Sequence, residues 1–304
     1  MTPAPRFVGT QPWFPGALGR WPWLTAPVPA ERVAAFRIAV AAAVLCDIFL
    51  GYLPHSAAVF SPDALGGRDL YQARFGGGNF YWSVLRWLPD GWGPVALFAV
   101  WVGAAVGLLV GWRPLLTGLV VWACAVSVWN INPGLANAGD RLRHTLILAA
   151  AVSRSGAVWG VSSVRRGGAA GPVLVPGWPV RVVFVQLAVL YFFSGVYKIA
   201  NPTWRAGYVM YFVAHDLGWS LAPAWAGLAP VGVYQLASWL TLVWELGFPV
   251  LAVLRGTRVP TLWVGFIFHL LTLATLEVGA FALYGMAAYA AFVPWERWPR
   301  RAAR

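Results

Sequence analysis

VRVVFVQLAVLYFFSGVYKIANPTWRAGY, residues 180–208, contains an apolar run of about twenty residues, the length that crosses a bilayer as a helix. Near the end of the run stands Lys198, the only lysine among the 22 basic residues. An ionisable residue inside a membrane span is a functional hypothesis by default. At helical spacing, Gln186, Leu190, Ser194 and Lys198 share one side of the helix. The alternative is a lysine that only anchors the helix end by reaching the interface.

The composition of the chain is that of a membrane protein. Of its 304 residues 60% are hydrophobic and only 11% are charged, whereas about a quarter are charged in soluble domains. The net charge of +12 does not indicate nucleic-acid binding, because the arginines gather in short loops, as they do on the cytoplasmic side of membrane proteins. Cys46 and Cys124 lie in apolar runs and predict no disulfide framework.

Hydropathy predicts an all-α integral membrane protein with a bundle of about eight transmembrane helices. The polar and aromatic stretch 201–231, after span five, predicts an interfacial or re-entrant segment. The stretch 81–88 predicts an interfacial helix, and 162–179 predicts a loop. The arginine distribution places both termini in the cytoplasm. We predict an N-terminal interfacial segment (1–29), a transmembrane domain (30–294) and a basic tail (295–304). The predicted spans cover residues 33–53, 95–110, 115–129, 140–152, 180–200, 234–254, 260–276 and 279–293.

The outer half of the predicted bundle collects most of its ionisable residues. Counting about 1.5 Å per residue from the outer ends of the spans places them at similar depths. They suggest a polar chamber that opens outward. As an alternative, Asp47 or Glu245 only pairs with an arginine such as Arg143 and locks helix packing. The residues concerned are Asp47, Asp140, Arg141, Arg143, His144, Lys198, Glu245 and His269.

No metal site is predicted, because the four histidines are far apart in sequence and no HExxH motif occurs. His144 and His269 can equally be histidines that are satisfied within the bundle, and His215 with Asp216 is most simply solvated surface. No phosphate-binding glycine loop and no Gly-x-Ser-x-Gly elbow is present.

A lysine at the edge of the membrane can act as a base. Removal of water from an amine disfavours its charged form, and a neutral amine accepts protons. A lipid-soluble acid such as a quinol would reach it from the bilayer. Such chemistry needs an apolar, aromatic-lined cavity with a few polar groups. The aromatic residues near Lys198 that could line one are Tyr191, Phe192, Phe193, Tyr197 and Trp204.

Three stretches resemble the vitamin K-dependent gamma-carboxylase and the related HTTM (horizontally transferred transmembrane domain) proteins. QLAVLYFFSGVYKIANPTWRAGY (186–208) resembles their central motif, with its lysine and Trp-x-x-Gly element. IFHLLTLATLEVGAFALYGMAAYAAFVP (267–294) resembles a later segment in which a histidine precedes a Gly-x-Phe helix. NAGDRLRHTLILAAAVSRSGAVWGVSS (137–163) resembles a segment that ends in a Trp-Ser-x-Asp-like element. Together they extend over most of residues 30–294.

The resemblance implies a reaction. In the carboxylase the lysine of this motif deprotonates vitamin K hydroquinone, oxygen converts the quinol to an epoxide, and the strong base formed removes a proton from a glutamate that takes up carbon dioxide. By resemblance that lysine is Lys198, the family histidine is His269, and Trp204, Gly207 and Tyr208 match the Trp-x-x-Gly element. The cofactor implied is vitamin K hydroquinone or menaquinol.

Two departures from the family pattern narrow the expectation. The Trp-Ser-x-Asp element has become Trp159, Gly160, Val161 and Ser162, which loses its serine and its acid. The sequence also ends shortly after the last predicted span, without the large extramembrane region with which the carboxylase holds its protein substrate. Oxygenation of a quinol survives these losses more readily than carboxylation of a protein.

The sequence leaves three hypotheses. The first is a carboxylase- or epoxidase-like enzyme of the lyase class in a bacterial plasma membrane, acting on a small lipophilic substrate with Lys198 as base and His269 and Glu245 as orienting or proton-relay groups. Arg143 would clamp an anion. The second is a non-catalytic quinone- or lipid-binding scaffold. The third is a transporter, which would predict an internal repeat, and the sequence shows none. The residues predicted to bind or orient the substrate are Glu245, Arg143, His144, Asp47, Gln186, Ser194, Tyr191 and Trp204.

Overall fold

The computed structural model describes residues 6–7, 22–60, 82–131, 138–165, 171–221 and 223–297. The chain divides into two compact units, Met1–Val183 with Ala287–Arg304 (unit 1) and Phe184–Met286 (unit 2). Most of the predicted N-terminal segment and of the basic tail lies outside the described residues.

Unit 1 is built mainly from helices. Its longest helices pack against one another, and Val33, Phe36 and Val40 are almost fully buried in their core. Pro114 opens one of them, since proline suits the first helical turn. The helices in chain order are α1 (Pro22–Thr25), α2 (Ala30–Cys46), α3 (Ser56–Phe60), α4 (Trp92–Leu109), α5 (Pro114–Ile131), α6 (Ala138–Val152) and α7 (Val161–Val164).

Helix α2 does not end as an α-helix. It continues as a π-helical segment, Asp47–Tyr52, and then as a 3-10 turn, Leu53–His55. A further 3-10 turn, Val84–Arg86, is the helical part of the described portion of residues 81–88, where a longer interfacial helix was predicted. The Ser83 hydroxyl accepts a hydrogen bond from the Leu85 amide at the start of this turn.

A small three-stranded sheet also belongs to unit 1, which the all-α prediction omitted. Its strands are β1 (Arg6–Phe7), β2 (Val28–Pro29) and β3 (Val173–Val175), in the order β1-β3-β2. Strand β3 pairs parallel to β1 and antiparallel to β2. The region 162–179, predicted as a loop, therefore contains a strand. Strands of two or three residues are too short to show the alternation by which a sequence reveals a strand.

Unit 2 is helical, and its first helix, α8 (Trp178–Ala200), begins in unit 1. A bridge between Ser220 and Leu276 joins two of its connecting segments. The region 201–231 folds as three short helices. The elements that follow α8 are α9 (Pro202–Arg205), α10 (Val209–His215), α11 (Pro223–Ala226), α12 (Val231–Leu251), α13 (Arg258–Thr275) and α14 (Phe281–Tyr289), which ends in unit 1.

Five helices among the described residues are long and apolar enough to cross a membrane. The predicted count of eight and the re-entrant segment are not confirmed. At about 1.5 Å per residue, α6 and α14 are shorter than the ~30 Å apolar core of a bilayer. The five candidate spans are Ala30–His55, Trp92–Leu109, Pro114–Ile131, Trp178–Ala200 and Arg258–Thr275.

Candidate functional site

The lysine singled out by the sequence lies in the last turn of α8, in unit 2. Its amine donates a hydrogen bond to Glu245 Oε1 and forms an ion pair with that carboxylate. The same nitrogen lies 5.0 Å from the centre of the Trp204 ring, in a cation–π contact. The Lys198 side chain is 23% exposed, so the amine is partly shielded from solvent and still accessible.

The carboxylate of Glu245 comes from α12 and is almost fully buried, with 3% of its side chain exposed. Oε1 also accepts a hydrogen bond from the Ser194 hydroxyl at 3.2 Å. Because Ser194 and Lys198 are four residues apart on α8, both reach the same oxygen. The other oxygen, Oε2, is buried and has no hydrogen-bond partner among the described residues. Glu245 thus keeps an unused acceptor beside the amine.

The segment 202–210, which carries Trp204, is hydrogen-bonded to α12. The Ser238 hydroxyl donates to the carbonyl of Gly207 at 2.8 Å and accepts from the amide of Met210 at 3.1 Å. The Trp239 indole donates to the carbonyl of Arg205 at 3.0 Å. Sequence reasoning missed Ser238 and Trp239, because their partners are backbone atoms, which leave no pattern in side chains. A serine and a tryptophan just N-terminal to Glu245 on a polar stripe of α12 were the available signal.

A second pair, Tyr191 and His269, lies in unit 2 between α8 and α13. The Tyr191 oxygen and His269 Nε2 are 2.6 Å apart, within hydrogen-bond distance, and both side chains are buried. Trp244 and Phe248 of α12 pack on the Tyr191 ring. On its other side the imidazole touches Gly285, where an added Cβ would overlap the ring. His269 is therefore held tightly and is shielded from solvent.

In unit 1 the predicted acidic and basic residues form a different cluster around Arg143, which is 1% exposed. Its Nη1 donates to Asp47 Oδ2 at 2.7 Å and to the Tyr52 hydroxyl at 2.9 Å. Its Nη2 pairs with Asp140 Oδ1 at 2.8 Å, and the Trp101 ring lies 5.9 Å from the guanidinium carbon. With two carboxylates already bound, this guanidinium fits the helix-packing interpretation better than the anion clamp.

Two of the predicted substrate-binding residues join neither cluster nor the pair of Tyr191 and His269. His144 lies edge-on to the Trp129 ring in unit 1, with centroids 5.4 Å apart, and its Nε2 has no hydrogen-bond partner among the described residues. Gln186 is half-buried on α8, two turns before Ser194. The structure therefore groups Lys198, Ser194, Glu245 and Trp204 in unit 2 and Asp47 with Arg143 in unit 1. A single chamber that holds both groups stays a prediction.

Within the described part of the chain, no group of three or more His, Cys, Asp or Glu side chains could hold a metal ion. The comparisons with known proteins gave one match. The family model of the HTTM domain matches residues 27–298, which is nearly the whole chain. No curated protein and no solved structure matched the chain.

Proposed function

Because the chain belongs to the HTTM domain family, we propose that it is a vitamin K-dependent gamma-carboxylase-like membrane enzyme that oxidises a reduced lipid quinone, with Lys198 as the base. The observation that carries the proposal is the environment of the amine in unit 2. It is paired with a buried carboxylate and covered by an aromatic ring, yet it is partly exposed. Such a group can meet a lipophilic acid that arrives from the bilayer.

Aromatic side chains on α8, the helix that carries the amine, are suited to a quinol. Phe192, Phe193 and Tyr197, on the same helix, are exposed aromatic side chains, which suit a hydrophobic ring. Trp204 offers a further aromatic face next to the amine. When bound, a deprotonated quinol supplies the electrons that reduce oxygen. The residues themselves have to bind the ring, exclude water and remove the hydroxyl proton.

The pair of Lys198 and Glu245 supports the proton transfer. The ammonium of Lys198 can pass one proton to Glu245 Oε1, with which it forms a hydrogen bond. The neutral amine then accepts the proton of the substrate hydroxyl. The Ser194 hydroxyl donates to Oε1 and so keeps this oxygen beside the amine.

His269 and Tyr191 have an orienting role in this proposal. Their hydrogen bond ties α13 to α8, three residues before Ser194 and seven before Lys198. Trp244, the residue preceding Glu245, packs on the Tyr191 ring. The pair therefore fixes the face of α8 that presents the amine to the carboxylate. The location that accompanies this function is a bacterial plasma membrane with both termini in the cytoplasm, as the arginine distribution favours.

The test is turnover by the purified protein in lipid nanodiscs given reduced menaquinone, oxygen and bicarbonate, with the quinone epoxide measured. The decisive variant is Lys198→Arg, because a guanidinium keeps the charge and the ion pair and cannot be deprotonated. We expect epoxide from the native protein and a loss of about 10²–10⁴-fold in Lys198→Arg, the contribution of a positioned base. The matched control is Arg205→Lys, because Arg205 is exposed and belongs to the same short helix as Trp204.

Two outcomes would overturn the proposal: no epoxide from the native protein, or equal epoxide from Lys198→Arg. Bound quinone or lipid in the mass spectrum of the native protein, without turnover, would establish the non-catalytic scaffold instead. Incorporation of labelled bicarbonate into a protein, measured in the same reactions, tests whether carboxylation accompanies oxidation.

A further inference from the structure

Two segments of unit 1 are joined at one end of its helices. The first is the turn 110–113, which connects α4 to α5, and the second is the stretch 153–165, which follows α6. The amide of Val161 donates to the carbonyl of Val110 at 2.9 Å. The amide of Arg113 donates to the Ser162 hydroxyl at 3.1 Å. The two segments therefore present one continuous surface.

Three exposed arginines and two exposed tryptophans define this arginine surface: Arg113, Arg154, Arg165, Trp112 and Trp159. None of the three arginines forms an ion pair with a residue that the structure describes, and neither segment contains an aspartate or glutamate. The Arg113 guanidinium lies on the Trp112 ring, 5.7 Å from its centre. The surface is thus positively charged, uncompensated and partly aromatic.

The backbone of the arginine surface is strained at the residues that carry it. Arg113, Arg154 and Trp159 have φ of 42°, 53° and 50°, and they are the non-glycine residues of positive φ in the described part of the chain. A bulky residue in the left-handed region is unfavourable, and such strain persists where the surrounding structure imposes it and function retains it. Glycine would relieve it at each position.

The strained backbone is held from below by Arg37 of α2, which is fully buried. Its guanidinium donates to the carbonyls of Ser155 and Trp159, each at 2.6 Å, and to that of Leu109 at 3.4 Å. Carbonyls at helix ends carry partial negative charge, so they stabilise a buried cation that lacks a carboxylate. Gly111 makes room, because a Cβ there would overlap the guanidinium. This contact holds the backbone of the two segments that carry the exposed arginines.

We propose that the arginine surface binds the phosphate groups of anionic phospholipids. Helices α4 and α5 are two of the five candidate spans, so the turn between them ends an apolar hairpin and lies where a bilayer meets water. Arginines attract anionic headgroups there, and tryptophans prefer that depth. A soluble anion would not need the tryptophans. The proposal is independent of quinone chemistry, which concerns residues of unit 2.

The experiment is native mass spectrometry of the full chain in micelles that contain equal amounts of phosphatidylglycerol and phosphatidylcholine. We expect the native protein to retain phosphatidylglycerol preferentially. Replacing Arg113, Arg154 or Arg165 by glutamine should lower that preference by about fivefold for each arginine removed. The triple variant Arg113→Gln, Arg154→Gln, Arg165→Gln combines the three losses. The control is the triple variant Arg141→Gln, Arg205→Gln, Arg255→Gln, which removes three exposed arginines elsewhere and should leave the preference unchanged. Equal losses in both triple variants would overturn the proposal.

A second variant separates lipid binding from folding. Arg154→Gly removes a guanidinium and relieves the positive φ, so we expect a higher melting temperature together with weaker retention of phosphatidylglycerol. Arg154→Lys should keep most of the retention, since it keeps the charge. Unchanged retention in Arg154→Gly and in the triple glutamine variant would refute the proposal. Competition by glycerol phosphate as strong as that by phosphatidylglycerol would show that the surface takes a soluble anion instead.

Discussion

The cluster around Arg143 and the cluster around Lys198 are two solutions to the same physical problem, a cation held among apolar helices. Arg143 in unit 1 is 1% exposed and is enclosed by Asp47, Asp140 and the Tyr52 hydroxyl. Lys198 in unit 2 is 23% exposed and has one carboxylate.

The difference is consistent with a packing role for Arg143 and with the chemical role proposed for Lys198. A guanidinium cannot lose its proton and binds two carboxylates through its planar fork, which suits a permanent contact between α2 and α6. An ammonium can lose its proton, and a single carboxylate leaves it room to do so. Sequence reasoning placed both residues in one polar constellation. The contacts place them in two separate clusters with different partners.

The largest expected effect tests whether the Arg143 cluster is structural. Arg143→Met leaves Asp47 and Asp140 buried beside an apolar side chain, so we expect the free energy of unfolding to fall by about 3–5 kcal/mol. Thermal or detergent-induced unfolding of the purified protein measures it. Arg141→Met, at an exposed neighbouring position, is the control. Replacing both aspartates with asparagine alongside Arg143→Met should restore much of the loss, and failure to do so would argue for a role beyond charge compensation.

A smaller effect is expected at Lys198. Lys198→Met removes one partner of Glu245 and leaves the Ser194 hydroxyl, so the free energy of unfolding should fall by about 1–3 kcal/mol. Lys198→Arg keeps the ion pair and should be close to the native protein in stability. The same unfolding measurement applies. A loss in Lys198→Met as large as that in Arg143→Met would remove the distinction between the two clusters.

Ser194 sharpens the comparison within unit 2. Ser194→Ala takes away the neutral donor to Glu245 Oε1 and keeps the ion pair, so we expect a loss of about 1 kcal/mol in unfolding free energy. Thr275→Val, which removes an exposed hydroxyl bonded to its own helix, serves as the control. If Ser194→Ala also formed less epoxide than Thr275→Val, the Ser194 hydroxyl would have a part in holding Oε1 beside the amine during proton transfer.

The smallest effect concerns another ion pair of unit 1, between Arg32 and Glu296. Arg32 donates to both oxygens of Glu296, and this hydrogen bonding lowers the pKa of Glu296 below its ordinary value of 4.5. A lowered pKa in the folded state means that the pair stabilises the fold above pH 4.5 and that this contribution is lost as the pH falls through the lowered pKa. The stability difference between the native protein and Glu296→Gln should stay under about 1 kcal/mol and vanish in acid.

Part of the site could be predicted from the sequence because it follows from the geometry of one helix. Ser194 and Lys198 lie four residues apart and do meet the same oxygen. Asp140 and Arg143 are three apart and do pair. The contact of Asp47 with Arg143 was among the alternatives, since a buried carboxylate needs a cation.

The rest depends on contacts between distant segments. Glu245 lies 47 residues after Lys198, and no local spacing indicates that the two meet. Ser238 and Trp239 donate hydrogen bonds to backbone carbonyls of the segment 202–210, which carries Trp204. No pattern of side chains in the sequence indicates these contacts. Arg37 lies inside the predicted span 33–53, and no sequence pattern indicates that its guanidinium donates to three backbone carbonyls.

The π-helical segment at the end of α2 sets a strict count of residues. In a π-helix the amide of each residue donates to the carbonyl of the fifth residue before it. This winding brings Asp47 and Tyr52 to the same side of the segment, where both accept a hydrogen bond from Nη1 of Arg143. In a regular α-helix the same spacing of five positions would turn the phenol by about 140° away from the side of Asp47. An insertion among these six positions should therefore be tolerated far less well than substitutions of their exposed members Phe49 and Leu50.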